Sequence, residues 1–158
     1  MTKPELIPLV DGQHLNLACI KLLNQEWPRS DGSREHSQKK SCRASPPMSL
    51  LYILKNEAGA EELVGHVRIC KLPNREKACW VESLIVSQEK RGTGLGRALM
   101  DDTELFVRRF GFDEVFLCTE DKQGFYERCG YVVCEPILHS TAATSVFPLI
   151  NNLALEKS

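Results

Sequence analysis

No stretch of this chain is apolar for the roughly 20 residues that a membrane-spanning helix needs, so no membrane partner is expected. An excess of one charge is also missing. Twenty Lys and Arg stand against 21 Asp and Glu, a net charge of −1 that argues against general nucleic-acid binding. The N-terminal stretch MTKPELIPLV lacks the apolar core and small-residue cleavage site of a secretion signal. The seven cysteines are scattered, odd in number and contain no C-x-x-C pair. That pattern disfavours a metal site or a disulfide framework, and implies free thiols in the cytoplasm. What remains is an ordinary α/β composition in 158 residues, enough for one domain over 1–158 with a full core.

Hydrophobic periodicity predicts the elements. ELIPLV (5–10) reads as an edge strand, because its prolines cannot donate ladder bonds. Asp11 is placed to cap a helix carrying Leu15, Ala18, Cys19, Leu22 and Leu23, which Pro28 stops. A polar basic loop follows. MSLLYILK, LVGHVRICKL and ACWVESLIV then read as three successive antiparallel strands, with a turn at Pro73-Asn74. Leu95, Ala98, Leu99, Phe106 and Phe110 mark one face of a helix that Gly111 ends. EVFLCT is a strand, QGFYERC a short helix and YVV a strand, and SVFPLI is a candidate last strand. The order predicts an α/β fold of α+β type, a mixed sheet with helices on its faces.

The most informative stretch is Arg91-Gly92-Thr93-Gly94-Leu95-Gly96-Arg97, between a strand and a helix. A helix start presents unpaired N–H groups and a positive dipole end to one spot, and glycines let the backbone approach a ligand there. The arginines add charge-assisted hydrogen bonds, so a pyrophosphate suits the site. No Lys-Ser/Thr follows the loop, which excludes a Walker A motif. The spacing is G-x-G-x-G, and the strands before it meander, which fits a Rossmann site poorly. Neither H-R-D nor D-F-G follows, so it is not a kinase.

These residues resemble the GNAT N-acetyltransferase family. Arg91 to Gly96 matches its R/Q-x-x-G-x-G/A motif, Leu84-x-Val86 looks like its fourth strand, and GFYERCGY looks like its fourth helix and following strand. The resemblance spans about Leu50 to Val133. It implies the GNAT fold, a mixed six- to seven-stranded sheet with about four helices, and direct acetyl transfer from acetyl-CoA to an amine in a ternary complex. It implies that the backbone of Leu84, Ile85 and Val86 binds the pantetheine arm and thioester. By the same carry-over Arg91, Gly92, Thr93, Gly94, Leu95, Gly96 and Arg97 hold the pyrophosphate, with Gln123 and Phe125 at the cofactor. Tyr126 matches the tyrosine that protonates the leaving sulfur in many relatives.

An acid inside an apolar strand is costly unless used or paired, so Glu82 is a candidate base, though an ion-paired structural role is nearly as good an account. Counting by twos puts Glu82 on the same strand face as Leu84. His66 is a weaker candidate base, better read as a core histidine, and Cys118 is better read as an inert buried thiol.

An α-amino group near pKa 8 loses its proton at pH 7 for about 1.4 kcal/mol, and a lysine near 10.4 for about 4.6, which favours an N-terminal acceptor. Between Arg29 and Arg43, five Lys and Arg against two acids leave a local excess of +3. In N-terminal acetyltransferases of the family this segment walls the acceptor groove. The resemblance therefore implies that Trp27, Arg29, Arg34, His36, Ser37, Lys39, Lys40 and Arg43 receive an acidic protein N-terminus, actin's foremost, with the enzyme a monomer. Transfer to lysine or a small polyamine, and a silent acetyl-CoA-binding module, stay open as alternatives.

Overall fold

The computed structural model of the chain describes residues 3–73 and 75–135, and the backbone of 138–139, 142–143 and 149–152. In chain order the elements are β1 (Glu5–Pro8), α1 (Asn16–Glu26), α2 (Asp31–Lys40), β2 (Met48–Lys55), β3 (Glu61–Leu72), β4 (Arg75–Val86), α3 (Leu95–Arg109), β5 (Glu114–Leu117), α4 (Gln123–Arg128), β6 (Val132–Val133), β7 (Leu138–His139), β8 (Ala142–Ala143) and β9 (Leu149–Asn152). Seven strands pair in the order β1-β2-β3-β4-β5-β9-β6, and β7 and β8 form a separate two-stranded ribbon. The sheet is mixed, as expected, since β4 and β5 run parallel while the other described pairs are antiparallel. Of the candidate last strand, Leu149 and Ile150 lie in β9, whereas 145–148 fall outside the described residues. So does Asn74 of the expected turn.

The chain divides into two compact units, Met1–Ile69 with Ser83–Leu99, and Cys70–Glu82 with Met100–Ser158. In the first, β1 pairs with β2 at the sheet's edge, where its proline breaks no interior ladder. The β2–β3 hairpin closes through Asn56, whose side chain accepts from the Ala60 amide at 2.9 Å, with Gly59 at φ 85° supplying the left-handed turn position. Leu9, Cys19, Leu22, Leu23, Leu51, Ile53 and Ile85 form this unit's apolar core. Asp11 is not the cap of α1. It ends one 3-10 turn and a second, Gln13–Leu15, separates it from the helix; the Gly12 and Leu15 amides are taken by the carbonyls of Leu9 and Gly12, each at 2.9 Å. Gly12 packs closely here: an added β-carbon would lie 2.9 Å from Ile7 Cδ1, a side-chain end that would have to shift.

The second unit packs Leu72, Ala78, Trp80 and Phe116 together, with β4 parallel to β5 from Ala78↔Glu114 to Val81↔Leu117. Helix α3 ends as expected at Gly111, whose φ of 90° lets the Phe112 amide reach back to the Val107 carbonyl at 3.1 Å. Its buried stripe is rotated from the expected one. Leu99, Met100, Thr103 and Val107 are fully buried, whereas Phe110 is 41% exposed and stacks on Phe106. Met100 and Val107 carry the apolar part of this stripe, and two polar residues, Thr103 and Glu104, share the buried side.

Two local findings correct the sequence reading. The basic segment expected as a loop contains helix α2, ten residues long. Within β4, Ser83 sits at φ 53°, a left-handed conformation that costs a non-glycine residue about 1–2 kcal/mol. It interrupts the pleat, so counting by twos does not put Glu82 and Leu84 on one face. Glu82, Ser83 and Leu84 are instead all half-buried.

Candidate functional site

The glycine loop has the shape an anion site requires. Gly92 and Gly94 stand at φ 78° and 84°, left-handed positions that only glycine takes without strain. A β-carbon at either would meet nothing within 4 Å, so the glycines serve conformation and an open face, not tight packing. The turn delivers the chain into α3, whose first amides have no intrahelical partner. The Gly94 carbonyl takes the first described helical bond, from the Ala98 amide at 3.1 Å. The Thr93 hydroxyl donates back to the Lys90 carbonyl and pins the turn. Arg91 spans the loop's root: its Nε donates to the Val86 carbonyl at 3.2 Å, and its guanidinium lies 3.6 Å from Glu26. Arg97 is exposed. Open amides, a helix N-terminus and arginines fit a pyrophosphate.

The strand leading into this loop is fixed by close backbone approach. Gly65 in β3 leaves a β-carbon position 3.1 Å from the Ile85 carbonyl and 3.2 Å from Leu99 Cδ2, which any side chain there would crowd. Ile85 and Val86 are buried, Ile85 in the apolar core, and Leu84 is half-buried. The Ser87 amide donates to the Val64 carbonyl at 2.9 Å.

In α2, Ser30 caps the first turn, its hydroxyl accepting from the Ser33 amide at 3.2 Å. Asp31 at the start and Lys39 and Lys40 at the end suit the helix dipole. The inward stripe at i, i+4 and i+7 is polar: Arg34, Gln38 and Ser41 are 3%, 1% and 2% exposed. Arg34 Nε donates to Asn24 Oδ1 at 3.0 Å, and its Nη2 donates to the Trp27 carbonyl. Burial, and then the neighbouring cations Arg29 and Arg68, lower its pKa. Gln38 accepts from Arg68 Nη2 at 3.0 Å, donates to Asn16 Oδ1 at 3.0 Å, and lies 3.3 Å from Cys19 Sγ. The Cys19 thiol is pushed up to about 11, chiefly by burial. Of the acceptor residues named from sequence, Arg34 is therefore turned inward, Ser37 is half-buried, and Trp27, Arg29, His36, Lys39, Lys40 and Arg43 are exposed.

The remaining candidates belong to the second unit. Tyr126 in α4 is buried, packed edge-on to Phe125 and Tyr131 with ring centroids 5.0 and 5.8 Å away. Its phenol is pushed up to about 12 by burial, and then by Cys129 and Asp121. Gln123 is exposed at the first position of α4, and Phe125 is half-buried. Glu82 is half-buried and accepts from the Cys70 thiol at 3.6 Å. Cys118 packs against the Trp80–Phe116 cluster.

His66 is fully buried in the first unit, and its pKa falls to about 3, first through burial and then through Arg68. It is a neutral core histidine, as the sequence suggested. A cavity of about 230 Å³ lies beside α1, lined among others by Lys21, Gln25, Glu62 and Glu89. It contains none of the site residues named from sequence, and Glu62 and Glu89 against Lys21 make it a poor place for an anion. Among the described residues no cluster of three or more His, Cys, Asp or Glu suits a metal, and no helix is long and apolar enough to cross a membrane.

Comparison with known proteins gives this geometry a context. Residues 16–131 match the family model described as Acetyltransferase (GNAT) family. The mouse (Mus musculus) protein N-alpha-acetyltransferase 80 is 38% identical over 121 residues, 76% of this chain but 38% of the relative. The chain thus spans well under half that relative's length. A chimeric spermidine N-acetyltransferase of Vibrio cholerae SpeG and hSSAT superposes with a TM-score of 0.73 at 15% identity, covering 98% of both chains. An aminoglycoside 6'-N-acetyltransferase complexed with coenzyme A superposes with a TM-score of 0.72 at 16% identity, covering 96% of this chain and 97% of that one. At such identities the two structures testify to the fold.

Proposed function

The chain belongs to the GNAT acetyltransferase family, and from that premise we propose that it is a cytoplasmic N-α-acetyltransferase that takes acetyl-CoA as donor and acidic protein N-termini, processed actin foremost, as acceptors. The observation that carries the reading is the pair of left-handed glycines opening onto the start of α3. The similarity to N-alpha-acetyltransferase 80 supports an α-amino acceptor. The basic residues exposed on and around α2 support an acidic one.

Acetyl-CoA supplies an acyl group activated as a thioester. The reading assigns the amides from Gly92 onward, with Arg97, to its pyrophosphate, and the β4 edge at Leu84–Val86 to its pantetheine arm. Gln123 and Phe125 are assigned to the cofactor by family resemblance. Arg91, already tied to Val86 and Glu26, holds the loop's shape as well as lending charge. Arg34 acts from inside: it fixes the α1–α2 corner, and the exposed Arg29, His36, Lys39, Lys40 and Arg43 form the rim that meets the acceptor, beside Trp27 and Ser37. Glu82 is assigned to accepting the amine's proton, directly or through water.

Tyr126 is assigned to the leaving sulfur. A phenol at about 12 would surrender its proton to an ordinary thiolate, near 8.5, only at a cost of about 5 kcal/mol. Tyr126 therefore acts as a hydrogen-bond donor that keeps its proton, and Tyr126→Phe should lower kcat with little change in cofactor affinity.

The test is transfer to three peptides, one starting with consecutive acids, one starting with Ser, and one with a blocked N-terminus and an internal lysine. The reading expects acetyl on the α-amine of the acidic peptide first. Acetylation of lysine alone would overturn it, and transfer to none alongside tight acetyl-CoA binding would mark a silent module.

A further inference from the structure

We propose that His66 is a positioning residue for the donor-binding strand: its Nδ1–H holds the Ser83 carbonyl and so fixes the left-handed turn in β4 that sets the direction of Leu84–Val86. The inference rests on the reading of that strand edge as the acetyl-CoA site.

The hydrogen bonds run in one line through the first unit. His66 Nδ1 is 2.8 Å from the Ser83 carbonyl, His66 Nε2 is 3.1 Å from Ser49 Oγ, and Ser49 Oγ is 2.7 Å from Ser41 Oγ. The proton order follows from chemistry. A carbonyl only accepts, so Nδ1 carries the proton; a neutral ring then presents Nε2 as an acceptor, to which the Ser49 hydroxyl donates. Ser49 Oγ in turn accepts from Ser41, whose alternatives, the Ser37 and Gln38 carbonyls, lie farther off at 3.4 Å. His66 and Ser49 are 0% exposed and Ser41 is 2% exposed, so water does not compete at the side-chain links of this line, while Ser83 at its end is half-buried.

The line ends where the backbone is least regular. Ser83 is the one non-glycine residue with positive φ among the described residues. A carbonyl at such a position needs a donor, and the His66 ring supplies one at 2.8 Å. The same line begins at Ser41, directly after α2, so the acceptor-wall helix and the donor-binding strand are tied through three buried side chains. Neither Ser41 nor Ser49 carries a recognisable motif, which is why the sequence suggested for His66 a core place or a weak candidacy as base and no positioning role.

The test compares His66→Asn, whose amide N–H replaces Nδ1–H at the same branch point, with His66→Gln, whose longer side chain carries the amide past it. Two quantities are read: steady-state KM and kcat with an acidic peptide, and hydrogen exchange at the amides of Leu84–Val86 without ligand. The Gln variant is expected to raise the acetyl-CoA KM about five- to tenfold with the peptide KM unchanged, and to speed that exchange, while Asn stays near wild type. Equal exchange and equal acetyl-CoA KM in the two variants would overturn the proposal. So would matched losses toward both substrates, the mark of a general packing role. If wild type bound no acetyl-CoA, the donor reading alone would fall, and the exchange difference would still decide whether His66 holds the strand.

Discussion

Helix α3 turns Leu99, Met100 and Val107 inward, whereas α2 turns Arg34, Gln38 and Ser41 inward. Both helices are ordered, but by different forces. The first is held by apolar area, a non-directional attraction that tolerates small shifts. The second is held by hydrogen bonds whose partners, Asn24, Trp27, Asn16, Arg68 and Ser49, sit at fixed distances. A polar inner face fixes one register of α2 strictly and adds little net stability, since each such bond contributes only about 1 kcal/mol. That suits the acceptor role proposed for this segment, whose exposed face carries His36, Lys39 and Lys40.

The largest effect should come from α3. Leu99→Ala removes a fully buried side chain lying close to Gly65, at a cost of about 3 kcal/mol and a fall in Tm of roughly 6–12 °C. In α2, Gln38→Ala removes the acceptor of Arg68 and the donor to Asn16 together, and should cost about 1–3 kcal/mol in a denaturant titration. A value as small as that of a surface change would show the polar stripe to be ornamental.

The third effect is a pH dependence. The folded-state pKa of His66, about 3, lies below its ordinary 6.5. The native ring stays neutral while the unfolded chain takes up a proton, so the stabilisation is complete above pH 6.5 and is lost as pH falls toward 3. The slope should approach about 1.4 kcal/mol per pH unit, and His66→Asn should flatten it in melts run between pH 7 and 5. The burial that lowers the value leaves Arg68 and Arg34 as the cations acting on the ring. The smallest effect is expected for Arg34→Met. Losing two hydrogen bonds is offset by removing a buried charge beside Arg29 and Arg68, so stability should stay within about 1 kcal/mol of wild type. A loss above about 3 kcal/mol would mean that the charge itself is needed.

The same contrast explains what was legible in the sequence. The strands and α3 follow from apolar periodicity, and the glycine loop from the one residue type that takes a left-handed backbone without strain. Helix α2 was missed because its buried stripe at 34, 38 and 41 has the right spacing and no apolar residue. Ser30 three residues before Ser33, with lysines at the far end, was the signal that could have found it. The kink at Ser83 was invisible because serine has no preference for left-handed backbone, and its carbonyl's partner, His66, is 17 residues away. Asp11 misled for a related reason: a good capping residue stood one short turn before the helix it was expected to start. Among the candidate site residues, those of the glycine motif were proposed from its spacing, while the inward turn of Arg34 depended on Asn24 and Trp27, which no spacing rule links to it.

The most direct test of the account is calorimetric titration of the protein with acetyl-CoA, alongside a Gly94→Val variant. Gly94 has φ 84° and open space beyond it, so valine strains the turn without filling a core. The account predicts one-to-one uptake by wild type and at least about tenfold weaker uptake by the variant, with a fall in Tm of only about 2–8 °C. No heat of binding with wild type, or equal affinity in the two proteins, would contradict it.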